Sequence, residues 1–409
     1  MSFKALLRHP FLLDNFWFGL SSIFLNVLNY AYVLLALHYL SKEEFGAFNA
    51  LVGMLTLATI AANPLQLQVT KTVALTDGPL LRKHLAGVLA GTLKLVLVAL
   101  LAVALASTQL GSLLNVPADA VILVGVVSAV SVLATLAVGI SSGLRALSFQ
   151  AALGIAASIT KFLCAFSLFE VGFKLGAGLA GYFAGFALTV AVTWYMLRNW
   201  ERPRKILEQR ESSGDSVVVL VFSYLFIAAP FNLDQILVQI LNSEISGDYA
   251  ALVTLGKLAF FASIPFQLVL YSYLANSRNA QQQLRFLWAG LGLTLGSALV
   301  LTVILWFGGR ALVGLLLAPG YANVADWVGV YSLGVCGYVF ANAVVSLAIV
   351  RGDARILVPT VAATITQIAL FHFRHETLEQ IVINQLLSFA LLSLATLLYL
   401  LTCSSIKRD

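Results

Sequence analysis

The sequence predicts an all-α polytopic membrane protein of about twelve transmembrane helices, in two six-helix bundles related by a parallel pseudo-two-fold repeat. Composition is the first reason. Of 409 residues, 60% are hydrophobic and 10% charged; water-soluble domains run at roughly 45–50% and about 25%. Such a chain cannot cover its surface with polar groups, so its solvent is lipid. The second reason is the recurrence of apolar runs of about 20 residues, long enough for spanning helices. They lack the alternation of barrel strands. The third is an internal repeat. Residues 40–67 (LSKEEFGAFNALVGMLTLATIAANPLQL) and 241–268 (LNSEISGDYAALVTLGKLAFFASIPFQL) share 12 of 28 positions without a gap. Glu43/Glu244, Gly46/Gly247, Pro64/Pro265 and Gln66/Gln267 are among the matches.

Six spans are expected in the first half: 15–38, 47–70, 84–106, 119–143, 149–169 and 176–197. Lys4 and Arg8 give the start a signal-like charge. The apolar run that follows is too long for a signal core, and no small-residue cleavage site follows, so it is expected to stay as a helix. The other six are 217–241, 248–275, 284–307, 327–350, 355–372 and 378–402. Between the halves lies NWERPRKILEQRESSGD, residues 199–215, the one polar linker. Its KILEQR stretch is expected to form an interfacial helix. The expected domains are therefore residues 1–198, the linker 199–215, and residues 216–409.

Loop charge sets the orientation. With the N terminus inside, inner segments carry 17 Lys and Arg, and outer segments carry only Lys42, Lys174, Arg310 and Arg374. This positive-inside bias places both termini in the cytoplasm. It also accounts for the net charge of +6 without a nucleic-acid partner. Six helices per half make the repeat parallel, with its axis along the membrane normal, a pattern found in secondary transporters. Cys164, Cys336 and Cys403 all lie away from the outer loops, so no disulfide framework is expected.

Four ionisable residues fall deep within spans: Lys94, Lys161, Asp234 and Lys257. Each costs about 2.5–3.5 kcal/mol at mid-bilayer on insertion scales. Together they cost on the order of 10 kcal/mol, as much as the whole stability of an ordinary domain. They are expected to face a cavity or pair with one another. Asp234 lies about eight residues before the turn at 242–246 and Lys257 about eleven after it, so at roughly 1.5 Å per residue they reach similar depth. Contact between them, or a shared cavity wall, follows. Three Lys against one Asp leaves a net cationic cavity. Asn29, Gln66 and Gln267, with Asn26, Asn63, Gln68, Asn232 and Gln235, cluster on the repeated hairpins. Such amides suit sugar hydroxyls or bonds between helices. Pro64 and Pro265 are expected as paired hinges deep in their helices, each freeing a carbonyl one turn earlier.

HYLSKEEFGAFNAL, residues 38–51, and LDQILVQILNSEISGDYAAL, residues 233–252, carry a resemblance. They are similar to segments of the oligosaccharide flippases, the polysaccharide-transporter branch of the multidrug/oligosaccharidyl-lipid/polysaccharide (MOP) exporter superfamily. The resemblance runs over both halves. It implies twelve helices in two bundles around a V-shaped cleft, and movement of a lipid-linked oligosaccharide, such as a polysaccharide or O-antigen repeat unit, from inner to outer leaflet by alternating access. It also implies the cell inner membrane, an isoprenoid diphosphate anchor that needs positive charge in the cavity, and H+ or Na+ as candidate coupling ions. A monomer without cofactor or metal is expected. The rival is a cation-coupled multidrug exporter of the same superfamily, which would favour acidic, aromatic walls.

Enzymatic readings find little support. GAGLAG, residues 176–181, follows no strand, and Gly181 with Gly185 suits close helix packing. There is no Walker A loop. His372, His375, Glu376 and Glu379 read as a solvated loop rather than a metal site. The outer loops are too short for the catalytic site of a glycan polymerase.

Overall fold

The computed structural model describes residues 10–76, 78–144, 146–198, 217–276 and 280–405. The linker 199–215 and its expected interfacial helix lie outside the described residues. Among the described residues the chain is helical nearly throughout and has no strand. In order, the helices are α1 (Pro10–Tyr39), α2 (Lys42–Ala61), α3 (Asn63–Leu75), α4 (Gly78–Leu105), α5 (Ser107–Leu114), α6 (Ala118–Gly143), α7 (Leu147–Glu170) and α8 (Lys174–Arg198). They continue with α9 (Val217–Leu241), α10 (Ser243–Gly256), α11 (Leu258–Asn276), α12 (Ala280–Leu316), α13 (Val328–Arg351), α14 (Leu357–Phe373) and α15 (Leu378–Ser405). Eleven described helical stretches are long and apolar enough to cross a membrane, and the described part of α1 adds a shorter apolar one. The protein is a multi-pass membrane protein.

Each expected span coincides with a helix or helix pair. The second and eighth are pairs, and their breaks differ. In the first repeat the chain breaks at Ala62, so Pro64 stands in the first turn of α3, where its missing N–H is no loss. In the second copy Pro265 lies inside α11, and the break comes eight residues earlier, at Lys257. The expected pair of matched proline kinks is therefore corrected. One proline starts a helix and the other sits within one, because Lys257 is drawn aside by partners that Thr56, its counterpart, lacks.

The start of α2 is fixed by a capping box: the Glu44 N–H donates to Ser41 Oγ at 3.2 Å, and the Ser41 N–H donates to Glu44 Oε2 at 3.0 Å.

Two compact units emerge. The first takes in the chain up to Tyr32 and Ala58–Val217; the second takes in Val33–Leu57 and the chain from Val218 onward. A stretch of the first sequence half, spanning the end of α1 and most of α2, thus belongs to the second unit. In the first unit, α7 packs on α8, and α6 on α3, α4 and α8. Val69, Val73, Leu85, Leu136 and Ile140 form a core there. Gly181 and Gly185 allow the α7–α8 approach: a Cβ at Gly181 would lie 2.7 Å from the Lys161 carbonyl oxygen, and one at Gly185 2.9 Å from that of Ala157. In the second unit, α13 packs on α11, α12 and α15. Phe231 stacks on Tyr338 at 4.4 Å between ring centroids, with Phe260 and Phe389 around them.

Candidate functional site

The second unit holds a buried ion pair. Asp234, on α9, is wholly buried, and its Oδ1 lies 3.7 Å from Lys257 Nζ. The contact expected from the hairpin's register is present. Its supports come from other helices. Tyr249 on α10 and Tyr331 on α13 each donate a hydroxyl to Asp234 Oδ2, at 3.0 and 2.9 Å. Lys257 donates to the Phe231 carbonyl, and Nζ stands 4.3 Å from the Phe231 ring centre. The helix break puts Lys257 there: α10 ends at Gly256, and the Phe260 and Phe261 N–H groups both return to the Lys257 carbonyl. Gly256 gives the Tyr331 ring room, since a Cβ there would strike it.

Just before this pair, Pro230 interrupts the α9 ladder. Its carbonyl accepts from Gln367 Nε2 at 2.9 Å and Gln385 Nε2 at 2.8 Å, both side chains being fully buried. Amides from α14 and α15 thereby tie α9 at its proline to two other helices; the carbonyl that the proline leaves without its helical donor is that of Phe226, one turn earlier.

Lys257 therefore adds no free charge. The pair cancels, as the expected count of three Lys against one Asp already allowed, and Lys94 and Lys161 are left without a carboxylate partner among the described residues.

The first unit holds a caged lysine. Lys161, on α7, is buried. Its ammonium donates to Asn29 Oδ1 on α1, and lies 4.4 and 4.6 Å from the ring centres of Tyr32 on α1 and Tyr182 on α8. The rings meet edge to face at 5.1 Å, and Tyr32 donates its hydroxyl to the Gly178 carbonyl. Asn29 is itself exposed. Among the described residues no carboxylate pairs with Lys161.

The other candidates stand apart from these centres. Lys94 is exposed on α4 beside exposed Leu93, Leu95 and Leu97, and makes no hydrogen bond or ion pair among the described residues. The structure gives it no partner in either cluster. Gln66 is half-buried, and its backbone lies against α6 at Gly139. Gln267 donates to Ser263 Oγ at 2.7 Å and accepts from Asn342 Nδ2 at 2.6 Å, a bond between α11 and α13. No group of three or more His, Cys, Asp and Glu side chains able to hold a metal is found among the described residues.

Sequence reasoning missed Tyr249, Tyr331, Tyr32, Tyr182, Gln367, Gln385 and Pro230. One signal was available for Tyr249. It aligns with Phe48 in the repeat, so a hydroxyl is present only in the copy that carries Asp234.

No family model matches the sequence, and no curated protein matches it. Solved structures do. An inward-facing multidrug resistance MATE family transporter of the MOP superfamily superposes with a TM-score of 0.73 at 11% identity, covering 94% of this chain and 96% of that one. The lipid II flippase MurJ, in an inward closed conformation, gives 0.73 at 12% identity over 94% and 87%. A MOP superfamily transporter from Pyrococcus furiosus, described by a reversed polarity of its binding pocket, gives 0.69 at 11% over 97% and 96%. At such identities the likeness fixes the fold alone: this chain is folded as solved MOP superfamily transporters are.

Proposed function

We propose that the protein is a flippase that carries a lipid-linked oligosaccharide across the bilayer by alternating access between two six-helix halves, and performs no covalent chemistry. The observation that carries this reading is Lys161. A buried lysine held by one amide oxygen and two tyrosine rings, with no carboxylate partner among the described residues, is a group that an anionic ligand can pair with. An isoprenoid diphosphate is the complementary group, and exposed Asn29 is the partner that a phosphate oxygen would replace. Gln66 would contact sugar hydroxyls, and Gln267 would do so only by releasing Ser263 and Asn342; Lys94, among exposed leucines, would act only as a distant charge. The Asp234–Lys257 pair serves as internal scaffolding in this reading. The orientation with both termini inside, in the inner membrane, rests on the loop charges.

The fold is also that of multidrug exporters, which makes a cation-coupled drug exporter the alternative. A buried lysine without a carboxylate partner among the described residues disfavours cationic drugs. Binding to protein in nanodiscs separates the two. An isoprenoid pyrophosphate is expected to bind at least tenfold more tightly than the neutral isoprenoid alcohol, with the preference lost in Lys161→Ala and kept in Lys161→Arg. Equal binding of both lipids, or binding of a cationic dye that improves in Lys161→Ala, would favour the exporter.

A further inference from the structure

Lys94 is a charge at the depth where lipid tolerates it least. It stands on α4, eleven residues from each end of the spanning stretch Lys83–Leu105, or about 16 Å at roughly 1.5 Å per residue. Half of a bilayer's hydrocarbon core is about 15 Å. The ammonium is therefore near mid-bilayer, too deep for its four-carbon stem to reach either headgroup layer. It is exposed, and no group among the described residues pairs with it.

The packing of α4 sets the direction of this charge. Leu85 joins the core of the first unit, Thr92 is buried, and Leu100 and Val103 lie against Gly125 of α6. At about 100° per residue these positions form one stripe, and Lys94 falls opposite it. Gly91 and Gly87, about one and two turns before Lys94, lie on the outward side. A Cβ at either would meet nothing within 4 Å. Glycine weakens a helix, and small residues in membrane helices serve where another backbone comes close. α12, the third span of the second half as α4 is of the first, repeats the spacing with Gly292 and Gly296, also open. There the position of Lys94 is taken by Leu299, itself exposed. The charge is thus particular to one face and is not required by the helix.

We propose that the outward face of α4 docks one transmembrane helix of a second membrane protein, and that this helix carries an aspartate or glutamate at mid-bilayer that pairs with Lys94. Charge complementarity selects this occupant. A second copy of the chain does not fit. Two-fold packing through this face would set Lys94 against Lys94. Among the described residues the carboxylate deep within a span is Asp234, which is wholly buried and already paired. Lipid phosphates lie half a bilayer away. The glycines let the partner's backbone approach until the side chains meet, in surroundings that screen the pair little. The inference rests on α4 spanning the bilayer and not on the cargo.

The test uses the full chain with a fluorescent label at its C terminus, in liposomes holding acceptor-labelled synthetic peptides. Each peptide is a Leu/Ala helix of about 22 residues. It has two glycines four apart and, on the same face at its centre, Glu, Gln or Leu. Energy transfer should show the Glu peptide associating about tenfold more tightly than the Gln and Leu peptides. The preference should vanish in Lys94→Leu, which copies what α12 carries, and persist in Lys94→Arg. Gly91→Leu should weaken the Glu peptide by about threefold. Equal association of the three peptides with the parent, or a preference for Glu that survives in Lys94→Leu, overturns the proposal. In native membranes, a photoreactive residue at exposed Ala90 should capture a chain with a carboxylate inside a span, in a yield that falls about tenfold in Lys94→Leu. Capture of lipid only, of a second copy, or of a span without a carboxylate overturns the stated occupant.

Discussion

Removing Lys257 alone should be far more damaging than removing it together with the charge of Asp234. At 3.7 Å, the attraction in an environment of effective dielectric about 20 is about 4–5 kcal/mol. Both groups are buried, Asp234 completely, so the desolvation already spent on them is offset only while both are present. Lys257→Met leaves a buried carboxylate with two tyrosine hydroxyls and no cation. Asp234→Asn leaves an ammonium with one carbonyl and a ring. Breaking a buried pair from one side costs about 3–5 kcal/mol, whereas replacing both partners by neutral groups is close to neutral. The double variant, Asp234→Asn with Lys257→Met, should therefore be more stable than either single one, with a coupling larger than either single loss. Equilibrium unfolding of the purified protein in mixed detergent micelles measures all four corners of the cycle. Single variants that each lose under about 1 kcal/mol and add without coupling would refute the ion-pair reasoning.

Other consequences follow from neighbouring contacts. Gly181→Ala puts a methyl group 2.7 Å from the Lys161 carbonyl, and the overpacking should cost about 1–3 kcal/mol in the same unfolding assay. Asn342→Leu removes the bond to Gln267; membrane hydrogen bonds are weak, so the loss should be about 0.6–1.7 kcal/mol. Asp353, in the loop after α13, accepts from Arg355 and from Tyr399 on α15, which hold its carboxyl well below the usual carboxylate range. Its folded-state value is depressed, so its contribution is complete above about pH 4 and is lost as pH falls below that. Arg355 is 63% exposed and Asp353 15%, so solvent screens the pair and the contribution is under about 1 kcal/mol. Stability of Asp353→Asn measured between pH 6 and 3 should fall less steeply than that of the parent; parallel curves would show the carboxylate to be idle.

The helical architecture was legible because lipid forces it. Every backbone group must be satisfied internally, so apolar runs of 20 residues have one outcome. The pairing of Asp234 with Lys257 was legible for a similar reason: rise per residue and a fixed turn set both depths. What stayed hidden came from contacts between segments far apart in sequence. Tyr331 reaches Asp234 across 97 residues, and Gln385 reaches Pro230 across 155. A tyrosine or glutamine in an apolar span carries no mark of such a partner. The proline hinges misled because sequence similarity was taken to mean similar backbone. Lys257, present in one copy only, moves the break. Composition alone left Lys94 and Lys161 equivalent, and only packing separates an exposed lysine from a caged one.

The role proposed for Lys161, buried and without a carboxylate partner among the described residues, is to hold the anionic anchor of a lipid-linked sugar. It is tested most directly by translocation of a defined isoprenoid-diphosphate oligosaccharide in proteoliposomes containing the purified protein, read by its accessibility to an external glycosidase. The parent should transfer it, Lys161→Ala should lose at least tenfold, and Lys161→Arg should keep most of the activity. Equal transfer by all three would contradict it.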